Sequence, residues 1–137
     1  NDAITNDHAA LQVLAELARS LAKHHNSVVV VTGAVDVATD ERTTLTVANG
    51  HPLLPRITGS GCMLTAITAA FCAAAPQRLL PACAAALCVM GIAGAVAGEK
   101  SAAQNGGLGT FRDLLLDALT HIDPTQLQRE MRLAEFT

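Results

Sequence analysis

Apolar residues recur at helical spacing near the start of the chain. Residues 7–23 carry one apolar stripe, formed by Ala10, Leu11, Leu14, Leu17, Ala18 and Leu21. This spacing predicts an amphipathic helix, for which Asn6 or Asp7 is a suitable N-cap. We expect the pair His24–His25 to end the helix rather than bind a metal, because basic side chains suit the last carbonyl groups.

β-Branched residues follow this helix. Residues 28–31 are four consecutive valines, which is typical of a strand buried on both faces of a parallel sheet. Thr32 comes next, at the carboxyl end of the strand, where open α/β sheets bind ligands. Residues 35–39 and 43–48 flank a polar tip and predict a β-hairpin. The pattern therefore indicates an α/β fold with helices packed on a parallel-sheet core.

The remaining chain has a helical pattern. Helices are predicted at 62–75, 81–100 and 111–119, followed by an amphipathic tail over 123–137. The uncharged run within residues 79–98 has about the length needed to cross a bilayer. Alanine and glycine dominate that run, so a buried helix is the favoured interpretation and no membrane partner is expected.

Composition limits the class of protein. The chain has 137 residues, 50% of them hydrophobic and 15% charged, so residues 1–137 are expected to form a single globular domain. A net charge of -3 argues against nucleic acid as a partner. The four cysteines form no C-x-x-C pair, and we expect reduced thiols in a cytoplasmic protein. The chain opens without an initiator Met or an apolar leader, which suggests a processed or partial chain.

The most distinctive motif is Thr58-Gly59-Ser60-Gly61-Cys62, which opens directly into an alanine-rich run. The first N–H groups of a helix lack internal partners and favour an anion. The N–H groups of Ser60 and Gly61 are therefore candidates for an anion hole, and Cys62 would lie where the thiolate form is favoured. On this motif alone, an anion site and a simple turn with an apolar cysteine remain equally open.

Several motifs together resemble the hydroxyethylthiazole kinase family. They are Val31-Thr32-Gly33-Ala34-Val35-Asp36, Asn49-Gly50-His51-Pro52-Leu53 and Thr58-Gly59-Ser60-Gly61-Cys62-Met63-Leu64, in that order, with a further resemblance over residues 107–119. The most specific feature is Cys62, because other ribokinase-like enzymes place an Asp at the matching position. The resemblance implies a ribokinase-like fold. Since full-length members are about twice as long, it also implies that this chain is the C-terminal half.

The resemblance implies an activity and roles for individual residues. The family transfers the γ-phosphoryl group of ATP, with Mg²⁺, to the hydroxyl of 4-methyl-5-(2-hydroxyethyl)thiazole in thiamine biosynthesis or salvage. By position, Thr32 resembles the ATP-contacting residue, Gly59 the glycine that contacts the thiazole, and Cys62 the catalytic residue. The family works as a homotrimer. Its Mg²⁺ ligands belong to the N-terminal half, so we expect no metal site in this chain and an N-terminal half as its partner.

Two other functions stay open. A related ribokinase-like vitamin or sugar kinase would share the fold, although Cys62 in place of Asp argues against it. Composition does not exclude a non-catalytic or incomplete fragment that associates with a partner chain. A thiol protease is disfavoured, because no His–Asp pair is placed in the sequence to serve Cys62.

Overall fold

A computed structural model describes the backbone from Asp2 to Thr137 and the side chains from Asp7 onward. Its elements, in chain order, are α1 (Asp2–His25), β1 (Val29–Val31), β2 (Asp36–Thr39), β3 (Thr44–Val47), a 3-10 turn (Leu54–Arg56), α2 (Ser60–Ala74), α3 (Leu79–Ala103), α4 (Leu108–His121), α5 (Pro124–Glu130) and β4 (Leu133–Glu135). The predicted helices and the hairpin are all present. The predicted N-cap is wrong, since α1 already includes Asn6 and Asp7.

The strands form one sheet in the order β1-β2-β3-β4, and each neighbouring pair is antiparallel. The α/β class is confirmed, but the parallel pairing predicted from the valine run is wrong among these strands. A run of valines reports burial rather than strand direction, and the short β1–β2 and β2–β3 connections cannot make a parallel crossover. The β1 valines are only half-buried, because β1 lies at an edge of the described sheet.

The C-terminal tail contains structure that the pattern did not predict. Residues 123–137 form α5 and then β4, which pairs with β3 so that Val47 faces Leu133. Asn49 fixes the connection between them. Its amide Nδ2 donates to the Glu130 carbonyl at 2.9 Å, and its Oδ1 accepts from the Arg132 N–H at 2.7 Å. A three-residue strand held by a distant side chain leaves little periodic signal in the sequence.

Helix α3 is the centre of the core. It packs against α2, α4 and the β2–β3 hairpin, with Leu87 and Ile92 in one cluster with the sheet and Met90 in a second cluster with Phe111 and Leu115. By length and composition α3 could span a membrane, yet 72% of its apolar window is buried by the chain itself. The prediction of a buried helix is thus confirmed.

Helix α1 covers the other face of the sheet. Ala15 and Ala18 pack on Val37, and the Arg19 Nε donates to the Thr44 hydroxyl at 2.7 Å. The predicted stripe splits, however, because Leu11, Leu14 and Ala18 pack toward the sheet whereas its other members are exposed. Leu17 and Leu21 are 57% and 41% exposed, and Val13 beside them is 66% exposed. We call Val13, Leu17 and Leu21 the α1 apolar row.

Candidate functional site

A cavity of about 1230 Å³ lies between the end of β1, the start of α2 and the middle of α3. Thr32 directly follows β1 and lines this cavity. Ser60 and Gly61, in the first turn of α2, line it too. Three of the predicted site residues, far apart in sequence, are therefore brought to one cavity.

The start of α2 has the conformation that the glycine motif predicted. Gly59 precedes the helix with φ +90°, a left-handed conformation that glycine adopts without strain. The first hydrogen bond of this helix runs from the Met63 N–H to the Gly59 carbonyl, at 2.9 Å. The N–H groups of residues 60–62 therefore precede the internal hydrogen bonds of α2 and are available to a ligand.

Two other predicted site residues, Gly59 and Cys62, are not part of the cavity lining. Cys62 belongs to the first turn of α2 and its side chain is exposed. Because Ser60 and Gly61 do line the cavity, the thiol of Cys62 lies on the same helix turn as the predicted anion hole.

Asp36 is a cavity residue that the sequence analysis did not single out. Its Oδ1 accepts a hydrogen bond from the Gly33 N–H at 2.9 Å, which closes the turn immediately after Thr32. Burial raises the pKa of Asp36, while the Gly33 hydrogen bond opposes that shift. The signal was present as an Asp three residues after a glycine, a spacing at which a carboxylate can cap a turn.

The cavity wall between β3 and α2 depends on close packing against α3. A Cβ on Gly91 would lie 2.5 Å from the backbone of Asn49, and one on Gly94 would lie 2.8 Å from the Leu54 side chain. Both contacts are closer than real side chains tolerate, so these two glycines allow the segment 49–54 to lie directly on the helix. Five lining residues belong to that segment: Asn49, Gly50, His51, Pro52 and Leu54.

His51 has a structural role in this wall. Its ring stacks on Phe111 at a centroid distance of 5.5 Å. Its Nδ1 accepts a hydrogen bond from the Leu53 N–H at 3.3 Å. Gly98 lies against the same ring, and a side chain at that position would collide with it. These contacts fix the imidazole between α3 and α4.

The charges of the cavity limit what this chain can bind by itself. Asp36 is the one charged side chain among its described lining residues, which include no lysine or arginine. An anion would therefore depend on backbone N–H groups and hydroxyls such as that of Thr32. Over residues 7–137, no group of three or more His, Cys, Asp or Glu side chains is placed to hold a metal ion.

Comparison with known proteins gives a consistent result. Residues 2–125 match the model of the hydroxyethylthiazole kinase family. A hydroxyethylthiazole kinase of Desulfotalea psychrophila is 40% identical over 121 residues, and one of Cereibacter sphaeroides is 46% identical over 116 residues. These alignments cover 88% and 85% of this chain and 42% of each relative.

A solved structure supports the same relationship. The structure of the hydroxyethylthiazole kinase protein from Pyrococcus horikoshii OT3 matches with a TM-score of 0.86 and 34% identity, over 99% of this chain and 51% of that one. The chain thus spans about half the length of the proteins it matches. The family match, the relatives and the fold agree, and the chain belongs to the hydroxyethylthiazole kinase family.

Proposed function

We propose that this chain is part of an ATP-dependent kinase that phosphorylates the hydroxyl of 4-methyl-5-(2-hydroxyethyl)thiazole in thiamine biosynthesis or salvage. In this proposal, residues 1–137 form one part of a single ribokinase-like kinase domain. The observation that carries it is the meeting of Thr32 with Ser60 and Gly61 at one cavity, in a chain of the thiazole kinase family. The names of the relatives supply the substrate class.

The proposed roles follow from what phosphoryl transfer requires. The reaction depends mainly on positioning and on donors directed at the developing charge. The N–H groups of Ser60 and Gly61 would hold phosphoryl oxygens, and one such donor is worth about 3 kcal/mol in a transition state. Thr32 would contact the nucleotide and Gly59 the thiazole. Cys62 would orient the substrate hydroxyl or accept its proton.

We propose that the Mg²⁺ ligands lie outside this chain, as the resemblance to the family implies. The relatives are more than twice as long as their matched segments, and their remaining parts are where we expect the Mg²⁺ ligands and an arginine that contacts the nucleotide. We further propose a cytoplasmic enzyme that is a homotrimer in its full-length form.

A second proposal, that this chain associates with a partner, is supported by its surface. The α1 apolar row is exposed on the helix that covers β1, and β1 pairs on one side only among the described strands. An apolar face and an unpaired strand edge favour association. We propose the N-terminal half of the same kinase as the occupant. A chain that stays a monomer in light scattering at micromolar concentration, even when mixed with that half, would contradict this proposal.

The test of the kinase proposal is ADP release from ATP and Mg²⁺, measured with and without the hydroxyethylthiazole alcohol. The chain is assayed alone and after mixing with the part of the Cereibacter sphaeroides relative that it does not match. Three proteins are compared: the parent, Cys62→Ala, and Thr125→Ala as a control at an exposed position on α5. Alcohol-dependent release that falls in Cys62→Ala but not in Thr125→Ala is the expected result.

Two results would count against the proposal. Unchanged turnover in Cys62→Ala would remove that thiol from either catalytic role. An absence of alcohol-dependent ADP release in the reconstituted mixture, where the two parts are found to co-elute, would remove the kinase activity itself. Release only in the mixture would establish that this chain is active when its partner completes it.

A further inference from the structure

Two thiols meet where α2 and α3 form a helical hairpin. Cys72 lies near the end of α2 and Cys83 near the start of α3, with residues 75–78 connecting the two helices. Their Sγ atoms are 3.6 Å apart. A disulfide has an S–S distance of about 2.05 Å, so the sulfur atoms must approach by about 1.5 Å. The catalytic roles proposed above use neither thiol.

The two thiols differ in access. Cys72 is half-buried and lines the cavity, whereas Cys83 is only 6% exposed. Burial and the adjacent Cys72 thiol raise the pKa of Cys83 to about 12. An oxidant that enters the cavity therefore meets Cys72 first, and Cys83 is the thiol that can resolve the product.

We propose that Cys72 and Cys83 form a dithiol modification site, which small disulfides convert into an intramolecular disulfide between α2 and α3. The geometry supports this directly, because both sulfur atoms are already in contact across the hairpin. No contact between two thiols is found for the other two cysteines of the described residues. Cys62 is exposed at the opposite end of α2, and Cys88 is buried.

The reaction is an ordinary thiol–disulfide exchange in two steps. The Cys72 thiolate attacks one sulfur of the small disulfide, forms a mixed disulfide and releases one small thiolate. The Cys83 thiolate then attacks the Cys72 Sγ and displaces the second small thiolate. The two protein thiols lose two protons and two electrons, and the small disulfide is reduced to two thiols. Once Cys72 is in the mixed disulfide, its thiolate no longer opposes ionisation of Cys83.

The product would change the cavity and the hairpin together. Cys72 lies on the same face of α2 as Leu64 and Thr68, which also line the cavity. A bond from this face to α3 would fix the wall opposite the segment 49–54. The helix that starts with the anion hole would then be covalently tied to the core helix.

The test uses oxidised glutathione as the small disulfide and the chain without ATP, so its outcome is independent of the kinase proposal. After incubation, free thiols are alkylated under denaturing conditions and the peptides are mapped by mass spectrometry. The parent is expected to yield a Cys72–Cys83 cross-linked peptide that dithiothreitol removes, and a higher thermal midpoint before reduction. In Cys83→Ala, Cys72 should instead retain glutathione. Cys62→Ala is the matched control and should form the cross-link as the parent does.

A second probe needs no variant. Phenylarsine oxide bridges two thiols whose sulfur atoms are in contact, so one equivalent should protect both Cys72 and Cys83 of the parent from alkylation. A parent chain in which Cys72 retains glutathione without a link to Cys83 would overturn the proposal. So would a link from Cys72 to Cys62 of another copy, or an arsenical that protects neither thiol.

Discussion

Gly91 provides a direct test of how the cavity wall is built. In the Gly91→Ala variant, the new Cβ would lie 2.5 Å from the carbonyl carbon and oxygen of Asn49 and 2.6 Å from its Cβ. An ordinary contact starts at 3.4 Å, so the backbone of Asn49 must move away by about 0.9 Å. Two of these three atoms are backbone, so a rotamer change cannot relieve the overlap.

The expected cost follows from this overlap. Forcing a methyl group into a packed interior costs about 1–3 kcal/mol, and the higher helix propensity of alanine returns up to about 1 kcal/mol. We expect Gly91→Ala to lower the free energy of unfolding by about 1–2 kcal/mol, which corresponds to a drop of about 4–8 °C in Tm. Gly109→Ala is the matched control, because it is also helical and a Cβ there has no neighbour within 4 Å. It should be neutral or slightly stabilising.

The assay is thermal and urea unfolding of the parent and the two variants, followed by circular dichroism. A residue-specific readout is available as well, because Asn49 accepts the Arg132 N–H at 2.7 Å. Displacing Asn49 should speed hydrogen exchange at that amide in Gly91→Ala only. If Gly91→Ala matches Gly109→Ala in Tm and in exchange at Arg132, the segment 49–54 does not depend on close contact with α3 and the reasoning fails.

Other predictions concern buried polar groups. Burial raises the pKa of the Asp36 carboxyl above its ordinary value of 3.8. The folded chain therefore favours the neutral carboxyl, and the free energy of unfolding falls as pH rises from 3.8 through the raised pKa. The Asp36→Asn variant keeps an acceptor for the Gly33 N–H. In urea unfolding, its free energy of unfolding relative to that of the parent should therefore increase as pH rises over this range. A difference that does not change with pH would contradict this prediction. The Ser101 hydroxyl is buried with no hydrogen-bond partner among the described residues. Ser101→Ala should therefore raise the free energy of unfolding by about 1 kcal/mol, and a lower Tm in the variant would refute this prediction. Burial and the Asp36 carboxylate raise the pKa of the Cys88 thiol to about 11. Iodoacetamide at neutral pH should therefore label the exposed Cys62 long before Cys88, which peptide mapping would show. Equal labelling rates of the two thiols would argue against the burial of Cys88.

Local pattern was sufficient for most of the secondary structure. The spacing of leucines and alanines predicted α1, and the two β-branched arms around a polar tip predicted the β2–β3 hairpin. Strand direction was not predictable from the valines of β1, because α1 and α3 cover the two faces of this sheet, so that an antiparallel strand also carries a continuous apolar run. The strand β4 was missed because three exposed residues have no periodicity, and their pairing depends on the remote side chain of Asn49.

The residues of the candidate site fall into two groups, those that a local pattern indicated and those whose importance depends on contacts made in the fold. The glycine motif predicted the free N–H groups of Ser60 and Gly61, and the strand end predicted Thr32, because both signals are local. Asp36 and the segment 49–54 were not recognised as parts of the site, because their importance depends on contacts with Gly33 and Gly91. Whether Thr32, Gly59 and Cys62 act as the family resemblance implies remains a prediction.

The distribution of charge explains why this chain has the groups of a phosphate site but not a complete one. Its cavity offers backbone N–H groups at Ser60 and Gly61, which bind an anion without adding a full positive charge. The one charged side chain among the described lining residues is the Asp36 carboxylate, which would repel a triphosphate. A nucleotide bound as proposed would therefore gain positioning here but little neutralisation of its charge, and the proposal needs cations from another part of the enzyme. The exposed α1 apolar row and the open edge of β1 offer a surface on which a partner supplying those cations could dock.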